Sequence, residues 1–441
     1  MKLEGEHCMV RRRGGSNHMD RTDVARTCDV AVIGAGPSGC MAAAFAARKG
    51  LQTLLFDAND RVGRKIYATG NGRCNLTNLH MDNNCYHTGG REDLSAFFAR
   101  FSVEDHISFW ESEGIFLHDR QGYVYPRTDQ AATIAEAFEK ILREAGVSFI
   151  PEQRVLSVRA CGDRGETRFL IETQSGDHYF ARKAILSGGG AAGPQYGCSG
   201  DMYRIAESLG HSVRKPLPAL VPLCSDDRDL KAAAGVRCDA RITLLCEGSE
   251  PLTERGELQM TDRGISGIPV FQLSGAAARA LDRGGKVTAV IDLLPDFDEK
   301  KWRTEISRRM REDRNCMLSV FYLGLVNRKM LDLILRKRGL QAEKKASKVQ
   351  EEILAGILED MRALKMSITG TGDFRQAQVT SGGVPLSEVS DDLESLKCPG
   401  LYLAGELLDA DGICGGYNLQ WAMTSGWIAG TAAARERSGG I

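Results

Sequence analysis

The most restrictive feature of the chain lies between residues 29 and 57. Asp29-Val30-Ala31-Val32-Ile33 is an apolar run without polar alternation, the pattern of a parallel strand buried on both faces. It leads directly into Gly34-Ala35-Gly36-Pro37-Ser38-Gly39, after which Cys40 to Lys49 is an alanine-rich helix former closed by Gly50. Gln52 to Phe56 reads as a second strand with Asp57 at its end. Strand, G-x-G-x-x-G, helix, strand, acid is the context in which a glycine pattern becomes a dinucleotide fingerprint. Gly34 makes the tight turn, Gly36 lets the backbone approach a pyrophosphate, and Gly39 lets helix and strand pack closely. The helix start at Pro37 and Ser38 offers free N–H groups to phosphates, and Asp57, followed by Ala58, would accept ribose hydroxyls. The expected fold class is therefore α/β, around a Rossmann-like domain.

Composition narrows the partners. Lys plus Arg total 57 against 58 Asp plus Glu, so the net charge of -1 gives no global reason to expect nucleic acid or an anionic membrane. The 13 cysteines form no C-x-x-C pair and no Cys/His metal spacing, which predicts reduced thiols, a cytoplasmic protein and no metal site. Arg11-Arg12-Arg13 sits in a polar stretch without the apolar core of a signal peptide, and Met41 to Ala47 is too short to span a bilayer. A small-molecule substrate is the expected partner, and the sequence carries no sign of an oligomeric state.

The fingerprint alone fits FAD or a nicotinamide. Arg61 to Asn78, RVGRKIYATGNGRCNLTN, decides between them, because an NAD-binding half-domain would usually start a crossover helix there. A polar, glycine-punctuated loop can instead fold over a longer cofactor. Arg64, Lys65 and Arg73 would then serve phosphates, while Asn71, Asn75 and the backbone around Gly72 would serve the isoalloxazine edge. A second formal G-x-G-x-x-G at Gly188 to Gly193 follows Ala184-Ile185-Leu186, but Pro194 and Gly197 stand where a helix should begin. It reads as a glycine loop near the cofactor, with Gly189 in contact, and not as a nicotinamide site. NADH or NADPH would therefore visit transiently.

The run GRKIYATGNGRCNLTN, with GLYLAGELLDADGICGGYNLQWAMTSGWIAG near the C-terminus, resembles the NAD(P)/FAD-dependent flavoprotein family that contains aminoacetone-oxidase-like enzymes and bile-acid 3-dehydro-Δ4,6-steroid reductases. GYVYPRTDQA, SGDMYRIAESLGH, PALVPL, GELQMTDRGISG and QVTSGGVPLSEV extend the resemblance over essentially 29–431. It implies that the Val155 backbone meets the adenine, that Gly405-Glu406 meets the ribityl chain, and that the helix starting near Tyr417-Asn418-Leu419 aims its N–H groups at the flavin N1/O2 edge. It also implies a discontinuous order. After an extension (1–27), the FAD-binding domain occupies 28–215 and 377–441. A β-rich, barrel-like piece (216–296 and 361–376) and a helical subdomain (297–360) lie between. The excess of Lys and Arg in the helical piece reads as the solvated face of amphipathic helices. The helix that follows the Gly188–Gly193 loop begins near Asp201 and would be capped by Ser199 or Asp201.

Bound FAD makes hydride or electron transfer the default chemistry. Tyr417, Cys414 and Cys74 are the weak catalytic candidates, and Tyr67, Tyr123 and Tyr125 are comparable to Tyr417. His80, His87, His106 and His118 read as surface or loop residues. The resemblance favours NAD(P)H-dependent reduction of an enone C=C bond in a 3-oxo-Δ4 or Δ4,6 bile-acid or steroid intermediate. Alternatives are an amine or aminoketone oxidase producing hydrogen peroxide, and a flavin-binding regulatory protein without turnover.

Overall fold

The structure is a computed structural model that describes residues 26–90, 92–161, 168–312 and 314–435. The amino-terminal extension with its arginine run, and the Gly162 and Gly165 turn, lie outside the described residues. Thr27–Ile33 sits in the middle of a seven-stranded sheet, parallel to Thr53–Phe56 on one side and to His178–Leu186 on the other. Ser148–Ile150 extends the first side in parallel. His178–Leu186 pairs beyond with antiparallel Arg168–Thr173 along its first half and with parallel Leu401–Leu403 along its second. Val155–Cys161 closes that edge. Val30, Ala31 and Val32 have no solvent exposure, which is why the strand shows no polar alternation. The Rossmann-like α/β class expected from the fingerprint is the observed one.

Three neighbouring parallel strands end in glycine turns at the same edge of this sheet. A Cβ on Gly34 would stand 2.4 Å from the Gly188 Cα, and one on Gly405 would stand 2.5 Å from the Ser38 Oγ. The turns after residues 33, 186 and 403 are therefore in mutual contact, and ligands of open α/β sheets bind outside such an edge.

Above the sheet, the fingerprint helix Pro37–Ala47 crosses the last described helix, Tyr417–Ala433. The crossing is backbone on backbone. A Cβ on Gly426 would lie 2.2 Å from the Ser38 carbonyl oxygen, and one on Gly430 2.4 Å from that of Ala42. The alanines at 42, 43, 44 and 46 are wholly buried, so the small residues serve close approach as well as helix propensity.

The chain leaves this domain through Arg214–Ala219 and re-enters it through Val379–Gly383, and the two segments pair antiparallel as a ribbon. Beyond the ribbon lies an antiparallel sheet in the order Leu364–Ile368, Val287–Asp292, Arg237–Cys246, Leu252–Met260, Gly264–Ser266, Leu223–Cys224, Gly370–Thr371. The first and last members are consecutive in the chain and joined at Thr369, whose N–H donates to the Cys224 carbonyl (2.9 Å). The sheet thus closes on itself as a small barrel.

The helix Ile268–Asp282, which no sequence pattern announces, packs against both the barrel and the ribbon. The helical stretch is Glu299–Glu312, Leu318–Phe321, Arg328–Lys337 and Glu351–Arg362. It shares one apolar core with the barrel, in which Leu333, Ile334, Leu354 and Ile357 pack with Ile242, Leu258, Ala289 and Ile291. The helix Asp201–Ser208 starts after Gly200 without a side-chain cap, because the Ser199 hydroxyl donates to Asp201 Oδ2 (2.7 Å) instead of receiving a backbone N–H. Among the described residues no helix is long and apolar enough to cross a membrane.

Since the crossing leaves no room for a methyl group, Gly430→Ala is expected to lower unfolding free energy by about 1–3 kcal/mol, the usual cost of overpacking. Urea denaturation measures it, and an unchanged midpoint would contradict the contact.

Candidate functional site

The phosphate end of the groove is built by the first glycine turn. Asp57 Oδ2 accepts the Ala35 N–H (2.7 Å), and Oδ1 accepts both the backbone and side-chain N–H of Asn59 (2.8 Å each). The carboxylate is thereby fixed at the strand end, with Ala58 half-buried beside it. Nothing lies within 4 Å of a Cβ built on Gly36, whereas one on Gly39 would meet the Gly34 carbonyl at 1.8 Å. The helix behind Gly36 has no side-chain cap and no acid in its first turn, so its N–H groups stay available to an anion. Val155 is buried at the start of its strand, and the Gln153 N–H nearby donates to the Asp57 carbonyl (2.8 Å).

Midway along the groove, Lys65 and Glu406 pair with each other (2.9 Å), while Glu406 Oε1 accepts the Thr380 N–H (2.8 Å). Burial opposes the Lys65 charge, but Glu406, with smaller contributions from Cys198 and Tyr196, outweighs it and raises the ammonium pKa. Arg64 instead reaches Asp60 on the surface (3.2 Å), and Arg73, Asn71 and Gly72 stand exposed on their loop. That loop takes left-handed φ at Gly70, Asn71, Gly72 and Cys74. Asn75 holds it in place, its amide facing the carbonyls of Thr77 and Val124 (3.0 and 3.1 Å) and the Gly416 N–H (3.3 Å). On the other wall, Gly189 backs onto Cys198, and Thr380 Oγ1 accepts the N–H groups of Ala191 and Ala192 (2.9 Å each). Thr380 lies in the run QVTSGGVPLSEV, but its role is not legible there, since it exists only once the chain returns from the barrel.

The far end is the turn Gly412–Gly416. Gly416, at φ 94°, precedes a helix that again has neither a side-chain cap nor an acid in its first turn. Asn418 spans the turn, its Oδ1 accepting the Gly412 N–H (2.9 Å) and its Nδ2 donating to the Gly412 carbonyl (2.8 Å), and Leu419 is half-buried beside it. The side chain of Asn418 thus shapes the turn. From the open backbone at Gly36 to the uncapped helix at Gly416, this groove fits FAD: one end suits a diphosphate, the other the edge where a reduced flavin gathers charge.

The candidate proton donors do not fit that role. The Tyr417 hydroxyl is donated to the His80 carbonyl (3.0 Å) and its pKa is raised, first by burial. Burial also pushes the thiols of Cys74 and Cys414 up to about 12, so neither is a ready thiolate. The Cys414 N–H donates to Gln272 Oε1 (2.7 Å) on the barrel helix, which brings the turn to the junction of the two bodies.

His106 is wholly buried, not a surface residue. Gln420 Oε1 accepts from the Thr77 hydroxyl (2.6 Å) and lies 2.7 Å from His106 Nδ1, while Gln420 Nε2 donates to the carbonyls of Phe101 and Ser102. The imidazole is neutral with its proton on Nδ1, and burial pushes its pKa down to about 4. This network anchors the first turn of the last helix.

A polar seam also runs along the junction, unannounced by any spacing. Asp409 Oδ2 is held by Arg214 Nη1 (2.5 Å) and the Gly89 N–H (3.1 Å), and Glu92 lies 3.9 Å from the same guanidinium. Arg279 of the barrel helix donates to the Ser381 hydroxyl (2.9 Å). His87 and Asp411 face each other at 3.4 Å.

Two outcomes follow. Gly36→Ala should leave apo stability unchanged while weakening FAD binding at least tenfold, whereas Gly39→Ala should destabilise the apo protein; denaturation and flavin titration separate them. His106 binds a proton more weakly folded than unfolded, so its contribution is complete above about pH 6.5 and lost as pH falls toward 4. About 2 kcal/mol should disappear between pH 6.5 and 5, a dependence absent from His106→Leu.

The profile of the HI0933-like protein Rossmann domain matches residues 28–432. The 3-dehydro-bile acid delta(4,6)-reductase of Clostridium scindens is 36% identical over 92% of this chain and 99% of its own length. The ribosomal RNA dihydrouridine synthases of Escherichia coli and Haemophilus influenzae are 31% and 28% identical, over 90% and 92% of this chain and 96% and 98% of theirs. With a family match running from the first strand to the end of the last helix, the chain belongs to the HI0933-like family.

Proposed function

We propose that this FAD-dependent oxidoreductase uses NADH or NADPH to reduce the carbon–carbon double bond of an enone, with a 3-oxo-Δ4 or Δ4,6 bile-acid or steroid ring as its small-molecule substrate. The observation that carries this reading is the 36% identity to the bile-acid reductase, sustained over nearly the full length of both chains. When bound, the flavin supplies hydride transfer between nicotinamide and substrate. The residues of the chain do the rest. The uncapped helix after Gly416 presents N–H groups where negative charge gathers on reduction. Beside it, Leu220, Val379, Phe271 and Cys414 form an apolar cluster at the junction, and Ile268 stands 62% exposed at the start of the barrel helix. Leu220 and Val379 are buried, so the surface this junction offers a fused hydrocarbon ring system is that of half-buried Phe271 and exposed Ile268.

The two ribosomal RNA relatives favour a second reading, in which the reduced bond is the 5,6 double bond of a uracil. That bond is also conjugated to a carbonyl, so the flavin chemistry is shared and only the substrate differs. The cations of the helical stretch support this reading weakly, because Arg308, Arg309, Arg314, Arg328, Lys337 and Arg338 are all engaged with carboxylates.

The purified protein is expected to be yellow and to bleach anaerobically with NADH or NADPH. Colour should then return on adding a 3-oxo-Δ4,6 bile acid. Return of colour with ribosomal RNA alone would replace the steroid by a uracil. Bleaching by aminoacetone in place of a nicotinamide would contradict the reductase altogether.

A further inference from the structure

Reduction of an enone consumes a proton as well as a hydride; the Tyr417 hydroxyl is engaged with the His80 carbonyl, and burial pushes the Cys74 and Cys414 thiols up to about 12, which makes them poor acids. Resting on the enone-reductase reading, we propose that His87, paired with Asp411, is the catalytic acid that protonates the substrate α-carbon.

The pair is set by backbone geometry. Tyr86–His87 and Asp411–Gly412 form a two-residue antiparallel ladder in which His87 stands directly opposite Asp411, so their side chains share one face. His87 Nδ1 lies 3.4 Å from Asp411 Oδ1. Both atoms are cut off from solvent, and neither has a hydrogen-bond partner. A donor and an acceptor left so in a protein interior are costly unless they serve each other. Closing the 3.4 Å gap would make Nδ1 the donor and the carboxylate the acceptor, which leaves Nε2 on the open side of a ring whose side chain is 36% exposed.

The other face of the ladder is closed. The Tyr86 ring packs on Phe98 and Tyr417, and its hydroxyl donates to the Tyr417 carbonyl (2.8 Å). The His87 face turns to the junction, where Arg279 of the barrel helix feels the charges of Asp411 and Asp409. Three residues after Asp411 the chain reaches Cys414, which is hydrogen-bonded to that same helix.

The surrounding charges leave Asp411 to the histidine. Asp409 is neutralised by Arg214, which also draws Glu92, and Arg279 is turned to the Ser381 hydroxyl. Among the described residues, His87 is the one potential cation within 4 Å of Asp411. A carboxylate behind an imidazole fixes its tautomer and orientation and stabilises the imidazolium.

The step balances. Bound reduced flavin would supply a hydride with its two electrons to the β-carbon, and the π pair of the double bond, shifted to the α-carbon, would take the Nε2 proton of the His87 imidazolium, leaving the neutral Nδ1–H imidazole facing Asp411. One N–H bond breaks, one C–H bond forms, and the neutral imidazole regains its proton from water.

Two measurements test this on the FAD-bound protein. Above pH 8, nitrogen-15 histidine spectra should report His87 as the Nδ1–H tautomer, with Asp411→Asn moving it toward Nε2–H. Separately, protein reduced with dithionite and mixed anaerobically with a 3-oxo-Δ4,6 bile acid is followed by return of flavin colour. His87→Gln should keep the flavin spectrum yet slow reoxidation about 10²–10³-fold, and Asp411→Asn about tenfold, with the solvent deuterium isotope effect altered in both. A His87→Gln protein reoxidised at the wild-type rate, or a wild-type His87 in the Nε2–H form, overturns the acid role while leaving the enone reading standing. Wild-type protein that the bile acid does not reoxidise removes the enone reading and the acid role together.

Discussion

Everything in the cofactor domain depends on how closely two helices from opposite ends of the chain approach each other. With Gly426 against the Ser38 carbonyl and Gly430 against that of Ala42, the helix axes cannot move apart without opening a void or together without a clash. Ser38 belongs to the phosphate turn, and the other end of the Gly426 helix is the Gly416 turn at the flavin edge. One rigid contact therefore fixes the distance between the two anion-receiving helix starts. The Ser425 hydroxyl, donating to the Trp421 carbonyl and accepting the Gly405 N–H (2.9 Å), ties the third glycine turn into the same unit.

The inserted body meets that unit along the ribbon and at the loop after Gly190, where the Gly193 N–H donates to the Phe374 carbonyl and Gln195 to that of Arg375. Its two chain crossings are the paired strands of the ribbon, and the Gln272 bond to the Cys414 backbone adds a contact beside the flavin end. Around the ribbon lie Arg214, Asp409, Glu92 and Arg279, charged groups that are rarely buried except where they are paired or used. The apolar cluster of Phe271, Leu220 and Val379 lies beside this seam. A ring system entering there would have hydrocarbon on one side and titratable groups on the other, an arrangement suited to turning a bound enone in a single orientation.

How much of this the sequence discloses follows from the range of each interaction. The first strand, the Gly34 turn and the helix behind it are local, and Asp57 is only one strand away, so spacing alone places them. The barrel was readable as short strands, but the helix Ile268–Asp282 was not, because Pro269 and Gly275 interrupt its pattern and glycine–alanine positions replace a strong apolar stripe. Lys65 and Glu406 were each placed near the cofactor, yet their pairing spans 341 residues and no local pattern encodes it. His106 looked like a loop histidine because the partner that buries it, Gln420, lies 314 residues away. Asp409 and Asp411 stood within the motif that carried the family resemblance, but their partners His87 and Arg214 lie outside it and become neighbours only after folding.

The electrostatics of the groove point in one direction. Both of its helix starts lack an acidic residue in the first turn, and both are capped by glycine rather than by an oxygen-bearing side chain. Of the carboxylates along it, Glu406 is neutralised by Lys65, Asp57 is satisfied by the N–H groups of Ala35 and Asn59, and Asp411 before the Gly412 turn faces His87. What remains uncompensated is the partial positive charge of two helix termini, about half an elementary charge each. A diphosphate at one end and a reduced isoalloxazine edge at the other would meet that field without any residue having to move. Preorganisation of this kind would favour a reduced, anionic isoalloxazine edge over the neutral oxidised one.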